Sequence, residues 1–390
     1  MMDVELKTLT ARLAGPNGLG TSAARLLGMY SPVAAPPAAA VDAVEPVEPS
    51  AALVVDDPAY AYRPWGDGTA SPVYCPLTER IDDRLAAEVD ARLLVWATTC
   101  GFDEESLSAI RKATFGRLVM LTHPDTDDAD RLLVAAQLNA AWWAADDSYA
   151  DDSDRGAVPE QLPARLMLVM AAMDPLPRAG EFTPPLEAAL HDDPILVALR
   201  SGVEHLAQYG GPAVVQRVCY STFAMFVSWT AYAAWRHTGE YPPAWKYLAA
   251  RQHDSFYTSM TLIDALGGYE LTANVFYERR VRHAAFLAGT ASVLINDLHS
   301  VAKDAADEKP VCNMVLLIAA DKKCSIQEAT EQVVALHNDV VRDFQSIHRE
   351  VLAVPSVELQ RFMRGLRAWM GGGFEWHSTN PRYKSGAKQS

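Results

Sequence analysis

The chain has 390 residues, 49% of them hydrophobic and 9% aromatic, which is enough apolar material for one large core or two domains at most. Its 49 acidic residues outnumber 34 lysines and arginines and give a formal net charge of -15. This acidic balance argues against nucleic acid or an anionic membrane surface as a partner. An anionic substrate would need cations to offset the repulsion.

Residues 1–70 differ in composition from the rest of the chain. Prolines recur through SPVAAPPAAAVDAVEPVEPS, which begins at Ser31. Proline lacks a backbone donor and interrupts helices, so we expect an extended or disordered arm here. A passive tail and an arm that folds over a binding site are both compatible with this composition. We expect residues 71–390 to form one domain.

The cysteines and the apolar stretches indicate in which cellular compartment we expect the protein. The five cysteines are scattered and form no CxxC pair, which is typical of a reduced, cytoplasmic chain without a structural zinc or a disulfide framework. The polar start, Met1 to Arg12, lacks the apolar run of a signal peptide. No stretch reaches the length of apolar residues that a membrane span needs, so no stable insertion is expected.

Helical periodicity fills the chain after the arm, and convincing alternating strands are absent. The stretch Ala284–Ile295 is apolar nearly all round, so it belongs at the centre of a bundle. The pattern predicts an all-α fold of about ten helices around a central cavity. The predicted helices are residues 84–99, 105–122, 128–147, 163–173, 184–209, 213–236, 245–266, 273–303, 312–319, 325–351 and 356–370.

A first acidic motif follows the aromatic pair Trp142-Trp143. It reads DDSYADD, and its carboxylates include Asp146, Asp147 and Asp151. Carboxylate oxygens are hard ligands that suit magnesium, which completes its octahedron with water and substrate phosphates. The alternative is a solvent-exposed acidic turn, which could have the same sequence. The apolar helix before it favours a buried wall beside the charges.

A second motif lies on one face of a helix. Asn296, Ser300 and Asp304 are spaced four residues apart, so a helix brings them into one stripe with Lys303 beside it. Their amide, hydroxyl and carboxylate oxygens can chelate one hard cation, and the lysine can meet a phosphate. The alternative is a polar face where a core helix reaches solvent.

The two motifs, DDxxxDD and NDxxSxxxD, resemble the metal motifs of bacterial class I terpene cyclases. The family also has an arginine about 45 residues before the second motif and an Arg-Tyr pair near the C terminus. Arg251 and Arg382-Tyr383 match these elements. The resemblance covers about Ser71 to Tyr383 and implies a single helical bundle that ionises an isoprenoid diphosphate.

The resemblance also assigns roles. It implies three magnesium ions, with Asp146 as the main ligand of the first motif and Asp147 and Asp151 in support. It implies that Asn296, Ser300 and Asp304 hold a further ion. The groups expected to grip the diphosphate are Arg251, Lys303, Arg382 and Tyr383.

Aromatic faces can stabilise a carbocation without a lone pair that would trap it. We choose Trp376 first for this role, because it stands six residues before Arg382, and then Tyr149 and Trp229. Each of them is, taken alone, more often an ordinary core residue. Further candidates are Trp142, Trp143, Phe223 and Phe226.

Within the family, the stretch from Phe115 to Leu133 and the Pro/Ala-rich arm resemble a branch that uses 2-methylgeranyl diphosphate. This resemblance implies quenching by water to 2-methylisoborneol, while proton loss to 2-methylenebornane stays open. Departures from the family's usual residues at four positions bear on which product forms. Asp304 and Asp151 stand where the family or branch often has Glu, and Ser148 and Ala150 where it often has Cys.

Other functions remain to be weighed. A cyclase of the same fold could use geranyl or farnesyl diphosphate. A chain-elongating prenyltransferase normally has two DDxxD motifs, and the Asn/Ser/Asp form of the second site counts against it. A non-catalytic helical metal-binding protein is a further alternative. For the cyclase, a separate methyltransferase would supply the methylated substrate, and a homodimer is left open.

Overall fold

The computed structural model describes residues 73–151, 158–306 and 312–380, with the side chain of residue 151 excluded. The predicted arm, residues 1–70, lies outside them. Within the described ranges the chain forms sixteen α-helices, a π-helical turn and two short 3-10 segments. The helices are α1 Asp83–Thr99, α2 Glu104–Ala113, α3 Phe115–Thr122, α4 Ala129–Ala145, α5 Leu162–Met173, α6 Thr183–Asp192, α7 Pro194–Leu206, α8 Pro212–Thr238, α9 Ala244–Arg251, α10 Tyr257–Met260, α11 Ile263–Leu266, α12 Ala273–Phe276, α13 Arg279–Ala306, α14 Met314–Lys322, α15 Ile326–Leu352 and α16 Val357–Thr379. The π-helical turn is Asp146–Asp151, and the 3-10 segments are Pro159–Gln161 and Gly180–Phe182.

Many of these helices begin at a polar residue whose side chain accepts a bond from a free backbone N–H of the first turn. Asp82 does so for Leu85, and Asn313 does so for Val315. Ser325 and Glu328 form a reciprocal capping box at the start of α15. The local sequence therefore sets where these helices start.

Helix α13 lies at the centre of the bundle, as its apolar composition predicts. Ala284, Ala288, Ala291 and Leu294 have at most 1% of their surface exposed. The helix packs against α14, α15 and α16, while α16 also packs on α3. No strand occurs in the part of the chain that is described, and the all-α prediction is confirmed.

The segment predicted as one helix over residues 245–266 is three helices, with a break at residues 252–256. Backbone bonds reach as far as Asp254 N, which donates to Ala250 O (3.0 Å), and side-chain bonds hold the break together. Arg251 Nη1 donates to the backbone oxygen of Asp254 (3.2 Å), and the Ser255 hydroxyl accepts from Tyr257 N (3.2 Å). A Cβ on Gly289 would lie 2.8 Å from Ser255 Oγ, so a glycine is what allows α13 to approach the break.

Other predicted helices also divide. Residues 105–122 are interrupted at Thr114, which has a left-handed backbone (φ 53°). Residues 184–209 divide at Asp193, where Pro194 starts a new helix and Asp193 caps it. None of the helices in the described ranges is long and apolar enough to cross a membrane.

Candidate active site

A cavity of about 550 Å³ opens between α4, α8, α13 and the break after α9. Eight aromatic side chains line it, together with Asp146 of the first predicted metal motif and Asn296, Ser300 and Asp304 of the second. The aromatic lining residues are Trp142, Trp143, Trp229, Tyr232, Trp235, Tyr241, Tyr247 and Phe256. An apolar pocket with a few convergent polar groups is the usual form of a small-molecule site.

The first motif enters the cavity through Asp146. Helix α4 ends at Ala145, and residues 146–151 form a π-helical turn, which changes the direction of successive side chains. Asp147 consequently lies outside the cavity lining, in a separate small hollow beside Trp143 and Ser148. The side chain of Asp151 lies outside the described residues, so its predicted supporting role stays a prediction.

Tyr149 is buried but does not line the cavity. Its hydroxyl donates to Asp193 Oδ2 (2.5 Å), the carboxylate that also caps α7. Burial, and then the hydrogen bond and the charge of Asp193, raise the pKa of Tyr149. This side chain therefore ties the end of the first motif to α7, whereas we expected it in the cation wall.

The second motif lines the cavity in full. Asn296, Ser300 and Asp304 all reach it, and so does Lys303. Ser300 Oγ donates to Asp304 Oδ2 (2.6 Å), so two of the predicted ligands are already adjacent. Four-residue spacing on a regular helix accounts for the shared face.

Asn313, which we did not select from the sequence, lies directly behind this stripe. It is fully buried at the start of α14, and its Nδ2 lies 2.8 Å from Asp304 Oδ2 and 3.2 Å from Ser300 Oγ. Its Oδ1 accepts from Val315 N, which fixes the orientation of the amide. Asn313 thus holds the carboxylate and hydroxyl oxygens of two predicted ligands near each other.

Arg251 contacts both the break after α9 and helix α13. Its guanidinium donates to Asp254 Oδ2 (2.7 Å), to Asp297 Oδ1 (2.9 Å) and to Asn296 Oδ1 (2.9 Å). Asp297 is itself buried and accepts from Tyr247 (3.1 Å). The planar fork of arginine can serve several acceptors at once, so it joins the break to α13.

Some of the aromatic residues predicted for the cation site line the cavity, and others lie behind the residues that line it. Trp229 lines the cavity, and its Nε1 donates to Asp254 Oδ1 (3.0 Å). Trp376 lies behind the wall: it is fully buried, donates to the backbone oxygen of Ala113 (3.2 Å) and meets Trp143 edge-on at 5.8 Å. Its position in α16 turns it away from the cavity, which no sequence spacing could show.

Of the remaining candidates, Trp142 and Trp143 line the cavity. Phe223 and Phe226 are absent from the lining that the described residues form, and Phe226 packs against Trp229 at 5.2 Å between ring centroids. Arg382 and Tyr383 lie outside the described residues. Their place at the diphosphate end of the site stays a prediction.

The oxygen-rich stripe fits a hard divalent cation such as magnesium. No group of three or more His, Cys, Asp or Glu side chains placed to hold a metal occurs among the described residues. The second motif instead offers one amide, one hydroxyl and one carboxylate oxygen, and Asp146 lines the same cavity. Such a set leaves coordination positions for a phosphorylated ligand.

Comparison with known proteins agrees with this geometry. Residues 137–343 match the family model described as terpene synthase family 2, C-terminal metal binding. The 2-methylisoborneol synthase of Streptomyces griseus is 33% identical over 374 residues, which are 94% of this chain and 78% of that protein. The enzyme of the same name from Streptomyces ambofaciens is 30% identical over 371 residues, 94% of this chain and 79% of that protein.

A solved structure is also similar. The crystal structure of 2-methylisoborneol synthase from Streptomyces coelicolor A3(2), in complex with Mg²⁺ and 2-fluoroneryl diphosphate, superposes with a TM-score of 0.77 and 30% identity, over 80% of this chain and 96% of that chain. The chain therefore belongs to the class I terpene synthase family. The predicted resemblance is confirmed, and the similarity to 2-methylisoborneol synthases spans most of the chain.

Proposed function

We propose that this protein converts 2-methylgeranyl diphosphate and water to 2-methylisoborneol and diphosphate. One observation carries the proposal: Asp146, Arg251, Asn296, Ser300 and Asp304 line the same cavity as eight aromatic side chains. The polar side suits a diphosphate and the aromatic wall suits a hydrocarbon cation. The similarity to the Streptomyces enzymes supports the choice of substrate and product.

The polar side would bind the diphosphate through magnesium. We propose three ions, held by Asp146 with support from Asp147 and Asp151, and by the oxygens of Asn296, Ser300 and Asp304. When bound, these ions supply positive charge that makes diphosphate a better leaving group. The net charge of -15 gives the cations a second task, since without them the site would repel the substrate.

Protein cations would complete the grip on the diphosphate. Arg251 and Lys303 both line the cavity beside the stripe. We propose that they, with Arg382 and Tyr383, donate to the phosphate oxygens and orient the allylic carbon toward the aromatic wall. Arg251 is held by Asp254 and Asp297, so little side-chain freedom remains to be lost when it binds.

The wall would protect the cation. Trp142, Trp143 and Trp229 line the cavity, and their indole rings can stabilise a cation without trapping it. We propose that Tyr149 and Trp376 act from behind, by holding the first motif and Trp143 in place.

Incubation of the purified protein with magnesium and, separately, 2-methylgeranyl, geranyl and farnesyl diphosphates tests the proposal. Gas chromatography–mass spectrometry should detect 2-methylisoborneol from the methylated substrate as the main product. Preferred turnover of farnesyl diphosphate would contradict the proposed substrate. We also propose that a separate methyltransferase supplies the substrate, because the C2 methyl group must be added before cyclisation.

A further inference from the structure

A pair of buried polar side chains interrupts the aromatic wall. Asn139 in α4 and Ser259 in α10 both line the cavity, with 3% and 4% of their surfaces exposed. Ser259 Oγ donates to Asn139 Oδ1 (2.7 Å), and Asn139 Nδ2 donates to the backbone oxygen of Ala135 (2.8 Å). Polar groups buried beside a hydrocarbon site cost free energy unless their hydrogen-bonding capacity is met, and these two bonds meet only part of it.

The pair lies at the depth of the hydrocarbon and away from the metal motifs. Asn139 precedes Asp146, the C-cap residue of α4, by seven positions, which is about 10 Å along the axis. Both side chains reach the cavity, and Trp142 and Trp143 line it between them. A diphosphate held at Asp146 would therefore place its hydrocarbon chain toward Asn139.

The two side chains have hydrogen-bonding capacity left over. Ser259 uses its one proton on Asn139, so its oxygen can still accept. Asn139 uses one amide proton on Ala135, so a second N–H can still donate. These are the only bonds that the two side chains make within the described residues.

Trp142 provides an independent observation at the same place. It lies one turn after Asn139, is 6% exposed and lines the cavity. Its Nε1 is buried without a hydrogen-bond partner among the described residues. A buried donor is normally paired, and an enclosed water with two to four polar partners is a common way to satisfy it.

We infer that Asn139 and Ser259, with the indole N–H of Trp142, hold the water molecule that quenches the last carbocation. This inference rests on the proposed function. The water oxygen contributes the electron pair of the new C–O bond to the tertiary cationic carbon. The resulting oxonium loses one proton to the released diphosphate, which is the base that the reaction itself provides. The bound water thus selects alcohol over the olefin that proton loss from carbon would form.

The test uses the full chain with magnesium and 2-methylgeranyl diphosphate, and compares the ratio of 2-methylisoborneol to 2-methylenebornane. In Ser259→Ala and Asn139→Leu, loss of a bond to the water should lower the ratio on the order of tenfold. Total turnover should fall less, because the olefin still forms. Ser259→Thr, which keeps a hydroxyl, should retain the alcohol.

Ser292→Ala is the matched control, because Ser292 is 3% exposed in α13 and does not line the cavity. It should leave the ratio unchanged. An unchanged product ratio in Ser259→Ala would overturn the inference. A thermal melt shows whether Asn139→Leu folds. If it does not fold, the result for Ser259→Ala is used by itself. A wild-type protein that makes no 2-methylisoborneol would contradict the proposed function, and the inference would fall with it. A wild-type protein that makes 2-methylisoborneol, together with an unchanged ratio in Ser259→Ala, would overturn the inference alone.

Discussion

The amide of Asn296 and the imidazole of His377 lie 3.2 Å apart, from Nδ2 to Nε2, although the residues belong to different helices. His377 Nδ1 lies 2.7 Å from the backbone oxygen of Gly373, which can only accept, so Nδ1 carries the proton. Nε2 then accepts from Asn296, and this turns Asn296 Oδ1 toward Arg251 and the cavity. The buried histidine therefore fixes which end of the amide is offered to a metal.

Replacing His377 by Leu should weaken metal binding, because the Asn296 amide would no longer have a preferred orientation. Loss of a group that orients a metal ligand typically costs 10- to 100-fold in affinity or activity. The measurement is a titration with Mn²⁺ followed by electron paramagnetic resonance, alongside the magnesium dependence of turnover. His377→Gln, whose amide oxygen can accept the same bond, should recover part of the affinity. Equal Mn²⁺ affinity in the leucine variant and the wild-type protein would contradict this role.

Asn313→Asp separates helix capping from ligand positioning. Aspartate caps helices as well as asparagine, so α14 should keep its stability. The change replaces the donor 2.8 Å from Asp304 Oδ2 by a second carboxylate, whose repulsion should displace Asp304. We expect turnover to fall about tenfold or more while the melting temperature changes little.

Ser325→Asp, at the start of α15, is the matched control, because it changes another capping residue far along the chain from the stripe. It should affect neither turnover nor the magnesium dependence. If Asn313→Asp keeps normal magnesium dependence, Asn313 acts only as a cap.

Arg217 and Asp264 form an ion pair in the core, with side chains 4% and 0% exposed and 2.5 Å between Nη2 and Oδ1. Arg217→Met would leave the Asp264 carboxylate without its cation, which typically costs 3–5 kcal/mol of unfolding free energy. Urea unfolding measures this loss. The double variant Arg217→Met/Asp264→Asn should recover much of the lost unfolding free energy. The guanidinium of Arg217 also lies over the Phe276 ring, 4.0 Å from its centroid. If the double variant does not recover stability, the arginine acts through this packing.

Buried histidines should make the fold sensitive to acid. Burial lowers the pKa of His377 and His348 to about 3 and that of His337 to about 4, against an ordinary value of 6.5. Between the lowered pKa values and 6.5, these histidines bind protons in the unfolded chain but not in the folded chain. Their contribution to the free energy of unfolding is therefore fully present above pH 6.5 and is lost as the pH is lowered. Each such histidine should remove about 2 kcal/mol by pH 5.

Thermal melts at pH 7 and pH 5 measure this loss. His337→Gln should reduce the pH dependence, because one titrating group is removed. His191→Gln, at an exposed position, is the control and should leave the dependence as it is. A melting temperature that stays constant from pH 7 to pH 5 would contradict the buried, neutral state of these histidines.

The stripe on α13 was predictable because a regular helix converts four-residue spacing into one face. Asn296, Ser300 and Asp304 therefore line one cavity, as their spacing indicates. The break at residues 252–256 was missed, because its polar run QHDSF contains no glycine or proline to mark it. It depends on Arg251, Asp254 and side chains that arrive from α13.

The residues that position the metal motif could not be predicted, for a different reason. Asn313 and His377 contact the stripe only because α14 and α16 pack against α13. Trp376 and Trp143 are both aromatic residues in apolar helices of the sequence, and the packing of α16 on α3 leaves only Trp143 at the cavity. Asp147 is turned away by the π-helical turn, which has no reliable sequence signature.

The missing side chain at Gly289 also limits how this enzyme can change. A methyl group there would lie 2.8 Å from Ser255 Oγ and 2.9 Å from Tyr257 N, so even alanine would push the segment after Arg251 away from α13. The distance between the arginine and the ligand stripe is thus set by a residue that touches neither. Any side chain at position 289 would therefore disturb the site without contacting the substrate.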